Sequence, residues 1–214
     1  MSTMMSTPPM ALPADPGWVP SSLYRLTVEQ YQALVESGAL GKRDRIHLIN
    51  GLLVAKMVHN PPHATACDAA YAMFDVRLPE GWYLRPDKPI DIPTVNMPEP
   101  DLAVVRGHYQ DYATRHPGPR DVALVIEVAS SSLLDDQGMA AVYGRAGISV
   151  YWIIDLKGRK VEVYSRPGRN GYRSHKTFAS GEQVPVTIGG RKLPPIAVDD
   201  LLPRKATEAK GNRG

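Results

Sequence analysis

The run Val122-Ala123-Leu124-Val125-Ile126-Glu127-Val128 is apolar and largely β-branched at every position but one. A run of this kind reads as a strand buried on both faces, and an ionised carboxylate inside it costs several kcal/mol unless something pairs with it. The preceding apolar run, Ala103-Val104-Val105, has an acid at its mouth, Asp101 after Pro100. If the two strands are neighbours, as hairpin-connected strands usually are, Asp101 and Glu127 converge, and one divalent cation would answer both. The alternative is local: Asp101 caps the turn after Pro100, and Glu127 pairs with a buried Arg or Lys. Residue spacing leaves both readings open.

The remaining patterning supplies layers around these strands. Thr27-Val28-Glu29-Gln30 is a capping-box pattern that opens a helix closed by Gly38 or Gly41, and this helix is expected over the sheet. Residues 45–49 and 52–58 flank Asn50-Gly51, a pair suited to the positive φ angles of a type I′ hairpin turn. Pro61-Pro62 starts a second helix over about 63–78, with Ala66, Ala69, Ala70, Met73 and Val76 at helical spacing. Short strands are expected at 82–84 and 90–92. A third helix, 133–146, ends at Gly147 and leads into the doubly apolar strand 150–154, so a crossover connects two buried strands. Residues 160–165 alternate like a half-exposed strand. Residues 172–178 and 184–188 read as edge strands, and Gly189-Gly190 turns the chain toward 196–202.

Composition excludes several classes. With 214 residues, 43% of them hydrophobic, the chain has material for one domain and its core. We expect a disordered, proline-rich leader at 1–22, a single domain at 23–202 and a basic disordered tail at 203–214. The whole net charge of +3 sits in that tail, because Arg204, Lys205, Lys210 and Arg213 against Glu208 account for all of it. The body therefore has no basic excess of its own for nucleic acid. A single cysteine, Cys67, permits no internal disulfide, no secretion signal is recognisable, and no run reaches membrane-spanning length, so a cytoplasmic protein is expected. Gly-x-Ser-x-Gly and Cys-x-x-Cys motifs are absent.

Four motifs then occur in order: Glu99-Pro100-Asp101-Leu102-Ala103-Val104-Val105, Val125-Ile126-Glu127-Val128, Ser131-Ser132-Leu133 and Tyr151-Trp152-Ile153-Ile154-Asp155. With Asn60-Pro61-Pro62-His63 and Val161-Glu162-Val163-Tyr164, they make the chain resemble the Uma-type family of restriction endonucleases over roughly residues 26–202. The resemblance implies a branch of the PD-(D/E)xK nuclease superfamily. Its α/β restriction-endonuclease-like fold has a mixed central β-sheet flanked by helices, here with a β-rich C-terminal part. It also implies a divalent-metal-dependent endonuclease hydrolysing DNA, with Asp101 and Glu127 as ligands of Mg²⁺.

Three positions depart from that pattern. The Glu of the first hairpin is His47, the Lys two residues after the second acid is Ala129, and the Lys expected from the third helix falls on Met139 or Ala140. Lys56, on the second hairpin strand, is the candidate catalytic cation, its alternative being to snorkel from a sheet edge. Arg145 reads as a surface or helix-capping residue. His47 is either a hydrogen-bonded structural residue or a third metal ligand that would favour Mn²⁺. His63 is either a phosphate contact or a cap residue. The loop from Gly107 to Pro119, with His108, Tyr109, Tyr112, Arg115, His116 and the adjoining Arg120, reads as an aromatic and cationic grip on nucleic acid beside the acids, or as a plain surface loop. The competing function is a catalytically impaired member of the same fold that binds nucleic acid or protein. A homodimer would suit cleavage of both strands.

Overall fold

The computed structural model describes residues 23–41, 44–56 and 60–204. The expected leader, and residues 205–214 of the expected tail, lie outside the described residues. The centre is a six-stranded sheet in the order β3 (Trp82–Pro86), β4 (Leu102–Arg106), β5 (Val122–Ala129), β6 (Val150–Asp155), β7 (Lys160–Gly168), β8 (Gly171–Ala179). All neighbours are antiparallel except β5 and β6, which run parallel because helix α3 (Leu133–Ala146) crosses between them. The fold is thus mixed α/β, as expected. The left-handed Gly147 (φ 86°) ends α3 at the expected residue.

The two-residue period of the central strands sorts the core into two layers. Leu102, Val104, Leu124, Ile126, Trp152 and Ile154 face helix α2 (Pro61–Asp75). Ala103, Val105, Val125, Tyr151 and Ile153 face α3. Small residues Ala66 and Ala70 bring α2 close to the sheet, and Phe74 meets Trp152 edge-on with ring centroids 5.5 Å apart. Helix α2 stops short of the expected end, so Val76 is 79% exposed and Phe74 takes the core position instead.

Four expectations about placement change. Helix α1 (Val28–Glu36), with its capping box intact, packs Val28 and Tyr31 on Leu48 and Met97 beside the hairpin β1 (Ile46–Ile49) and β2 (Leu52–Ala55), not over the main sheet. Residues 90–92 form no strand. Ile90 and Ile92 are buried, but Ile92 makes only an isolated bridge to Asn96. Strands β9 (Gln183–Ile188) and β10 (Arg191–Ala197) pair only with each other and cover the α2 layer with Val184, Val186, Ile188 and Ile196, while 198–201 close as a 3₁₀ turn. Of the two expected edge strands, only β8 belongs to the main sheet, where it forms one edge and β3 the other.

The fourth is Glu162, expected on a half-exposed strand but 1% exposed, because α3 and two neighbouring side chains cover it. Lys160 Nζ (2.8 Å), Tyr164 Oη (2.8 Å) and Gln137 Nε2 (3.1 Å) donate to its carboxylate, and His175 Nε2 lies 3.3 Å away. Burial works against ionisation, but Lys160, Tyr164 and Gln137 hold its pKa below the usual carboxylate range. A depressed folded-state pKa adds stability above the unfolded value, and that contribution is lost as pH falls through the folded one. We therefore expect Glu162→Gln to melt below wild type at neutral pH, with the gap narrowing as pH drops below the ordinary Glu value. Thermal melts at neutral and acid pH will show this, and a gap that widens in acid would contradict it.

The hairpin turn has the expected form. Asn50 (φ 50°) and Gly51 (φ 77°) both have positive φ, as a type I′ turn demands. A Cβ at Gly51 would lie 2.5 Å from Arg25 Cβ, so the chain needs glycine there for space as well. Asn50 N–H donates to Asn96 Oδ1 (2.7 Å) and Met97 N–H to Leu48 O (2.7 Å), which ties the hairpin to the segment leading into β4.

Candidate metal centre

Register brings the two acids together. Leu102 on β4 pairs with Ile126 on β5, so Asp101, one residue before β4, comes level with Glu127. Asp101 N–H donates to Glu127 Oε2 (3.0 Å), and Val128 N–H donates to Asp101 Oδ2 (2.8 Å). Two more side chains fix them. Tyr143 Oη, on the buried face of α3, donates to Glu127 Oε1 (3.1 Å), and His63 Nε2, in the first turn of α2, lies 3.2 Å from Asp101 Oδ2. Asn60 caps that helix by accepting from His63 N–H (3.0 Å), so the cap also places the imidazole.

The β1–β2 hairpin forms the opposite wall of a cleft of about 430 Å³. Asp101, Glu127, His47 and Lys56 all line it, together with His63 and Asp136. Lys56 does not reach out to solvent: its side chain is 12% exposed, and its ammonium lies 3.7 Å from Glu99 and 3.6 Å from Asp87. His47 Nδ1 is buried with no hydrogen-bond partner. Burial, then Lys56, push the His47 pKa down to about 4, so near neutral pH the ring is an uncharged imidazole, the form that ligates metals.

Acids outnumber cations here. Burial, then Asp101 and Asp136, hold Glu127 well above the usual carboxylate range, and Lys56 only partly offsets them. Asp136 is raised to about 6 by burial, then by Asp101 and Asp135, although Ser132 Oγ donates to it (2.6 Å). Burial and then Glu127 push the Tyr143 phenol up, which keeps it a donor. An oxygen-rich, half-buried set with surplus negative charge is the donor chemistry of a hard divalent cation, so the residues present fit one.

The chain matches, over residues 28–195, the profile of the Uma2 family, described as "Putative restriction endonuclease". The chain belongs to the Uma2 family. A solved structure with a similar fold is that of "a putative nuclease belonging to DUF820 from Anabaena variabilis ATCC 29413", at TM-score 0.63 and 15% identity, covering 82% of this chain and 97% of that one. No curated protein matches the chain. No helix among the described residues is long and apolar enough to cross a membrane.

Against this Uma2 frame, the departures take definite places. Ala129 is buried beneath α3, and Ala140 is in the core, whereas Met139 lines the cleft. Met139 thus brings no charge to the cleft from α3, whereas Lys56 brings an ammonium to it from the end of the hairpin. Arg145 is exposed and lies off the cleft. The connection after β4 leaves from Arg106, at the opposite end of the strand from Asp101, and none of its residues lines the cleft. Within it, Arg115 pairs with Asp121 (2.8 Å), and His116 Nδ1 lies 3.1 Å from the Arg85 guanidinium on β3.

The sequence leaves the contacts of three site residues unread. His63 reads as a phosphate contact or a cap residue, but its actual partner, Asp101, is 38 positions away. Tyr143 is one residue of the expected third helix, and nothing beside it in sequence marks its phenol as a partner of Glu127. Asp136 registers only as a counting point for the absent Lys. The His63-x-x-x-Cys67 spacing, which puts both side chains on one helix face, was the available signal for the first.

Proposed function

We propose that the chain is a divalent-metal-dependent endonuclease that hydrolyses DNA phosphodiester bonds. The observation that carries this reading is the pairing of Asp101 and Glu127 across β4 and β5 in one cleft with Lys56. Asp101 and Glu127 would hold Mg²⁺, or Mn²⁺ if His47 joins them. The ion would supply Lewis-acid stabilisation of phosphate charge and an acidified water. The protein's own part is positional. Tyr143 and the Asp101 amide orient the Glu127 carboxylate, His63 and the Val128 amide orient Asp101, and Lys56 places one ammonium where charge gathers on the phosphate.

Supercoiled plasmid incubated with purified protein and Mg²⁺, Mn²⁺ or chelator tests the proposal. Nicking that requires metal supports it. Loss of the Lys56 ammonium in Lys56→Ala is expected to lower the cleavage rate by roughly a hundredfold, with partial recovery in Lys56→Arg. A full rate in Lys56→Ala would remove Lys56 from the mechanism.

A second reading rests on His47 and Met139, which stand where a relative with the full pattern would carry an acid and a cation. On this reading the same cleft binds nucleic acid or protein without cutting. No nicking in any metal, with retained DNA binding, would favour it.

A further inference from the structure

We infer that His63, Cys67 and Asp101 form a binding site for Zn²⁺, sharing Asp101 with the centre proposed above. Cys67 follows His63 by four residues on α2, so both side chains point from one helix face toward the sheet. Cys67 Sγ lies 3.4 Å from His63 Nδ1, and His63 Nε2 lies 3.2 Å from Asp101 Oδ2. These contacts use opposite ring nitrogens, of which zinc takes one; with one donor atom chosen from each residue, all three lie within 4.8 Å of one another. Tetrahedral zinc, with bonds of about 2.0–2.3 Å, wants its donors roughly 3.5 Å apart, so the set closes by about 1 Å on binding.

The donor chemistry discriminates between ions. A thiolate and an imidazole are ligands for zinc and its transition-metal neighbours, and Mg²⁺ has little use for either. Three protein ligands leave a fourth position for water, the composition of an open zinc site. Charge also balances, because a thiolate, a carboxylate and a neutral imidazole together cancel a divalent cation in a place where uncompensated charge is expensive. His63 and Asp101 are buried, and Cys67 is partly so. Burial, then the charges of Asp101, Asp87, Glu127 and Asp68, push the Cys67 thiol up, so a thiolate here needs a cation beside it, and those acids draw one. Zinc bound here would engage Asp101 and so compete with Mg²⁺ for the proposed catalytic centre. That inhibition rests on the nuclease reading, whereas the zinc site itself does not.

Cobalt titration of the full chain is the direct test, since Co²⁺ takes zinc sites and reports a coordinated thiolate by a near-ultraviolet charge-transfer band. The chain has one cysteine, so the band has one source. We expect it to saturate at one equivalent, to be displaced by Zn²⁺, and to vanish in both Cys67→Ser and Cys67→Ala. Zinc affinity, measured by competition with a chromogenic chelator, should fall at least about tenfold in Cys67→Ala. Melting curves of the variants will establish that they fold. No charge-transfer band in wild type, or zinc affinity unchanged in Cys67→Ala, overturns the proposal. Plasmid nicking in Mg²⁺ with added zinc tests the inhibition separately: Cys67→Ala should need more zinc than wild type for the same loss. A protein that binds cobalt through Cys67 but never nicks would keep the zinc site and discard the nuclease.

Discussion

Asp101→Asn and Glu127→Gln are each expected to reduce metal-dependent cleavage by about 10²–10³-fold, the rate equivalent of several kcal/mol of lost charge stabilisation. The amide replacements are chosen because they keep the local architecture. Asn at 101 can still accept from Val128 N–H, and Gln at 127 can still accept from Asp101 N–H. What each removes is one negative charge from a cleft where burial and the neighbouring acids already hold Glu127 and Asp136 above their ordinary range. Relief of that repulsion should leave the melting temperature of the metal-free protein equal to or above that of wild type. Lost activity with undiminished stability is the pattern of residues kept for chemistry rather than for folding. If both variants cleave plasmid as fast as wild type, a contaminating nuclease explains the activity and the proposed centre fails. If both lose activity and melt far below wild type, the acids are structural.

How far this centre could be read in sequence depends on the range of the interaction. The hairpin, the two acid-bearing strands and the bounds of α3 are local patterns: Asn50-Gly51, a two-residue apolar period, and a helix closed by Gly147. The level placement of Asp101 and Glu127 followed from a single assumption, that strands joined by one loop are neighbours. The rest needed contacts across the chain. Glu162 looked half-exposed because its cover comes from Gln137 on α3 and His175 on β8. For Tyr143 and His63, nothing near them in sequence indicates the carboxylates they touch. The placement of 107–120 beside the acids was avoidable on connectivity alone. A strand that begins at Asp101 must deliver its following loop to the other end of the sheet.

Gly144→Ala is expected to be strongly destabilising. Gly144 is on the buried face of α3, where a Cβ would sit 2.5 Å from the carbonyl carbon of Gly171, 2.7 Å from its Cα and 2.7 Å from Tyr172 N. All three are backbone atoms of β8, so no side chain can swing away, and the helix must lift or the strand must bend. Gly171 has φ +113°, a conformation that favours glycine, so the strand has no relaxed alternative to move into. Overpacking of this kind costs about 1–3 kcal/mol, and the rigid neighbours put Gly144→Ala at the upper end. In a chain of this size that corresponds to a melting temperature lower by roughly 5–10 °C. The consequence reaches the cleft through the adjacent residue. Tyr143 Oη is 3.1 Å from Glu127 Oε1, and an α3 displaced by about half an ångström or more stretches that bond beyond useful length. Gly144→Ala should therefore melt early and, if the nuclease reading holds, cleave more slowly even well below its melting temperature. Tyr143→Phe separates the two effects, since it removes the same hydrogen bond without disturbing the helix–strand contact. A Gly144→Ala protein that melts with wild type would show that α3 and β8 are not held as closely as this packing requires.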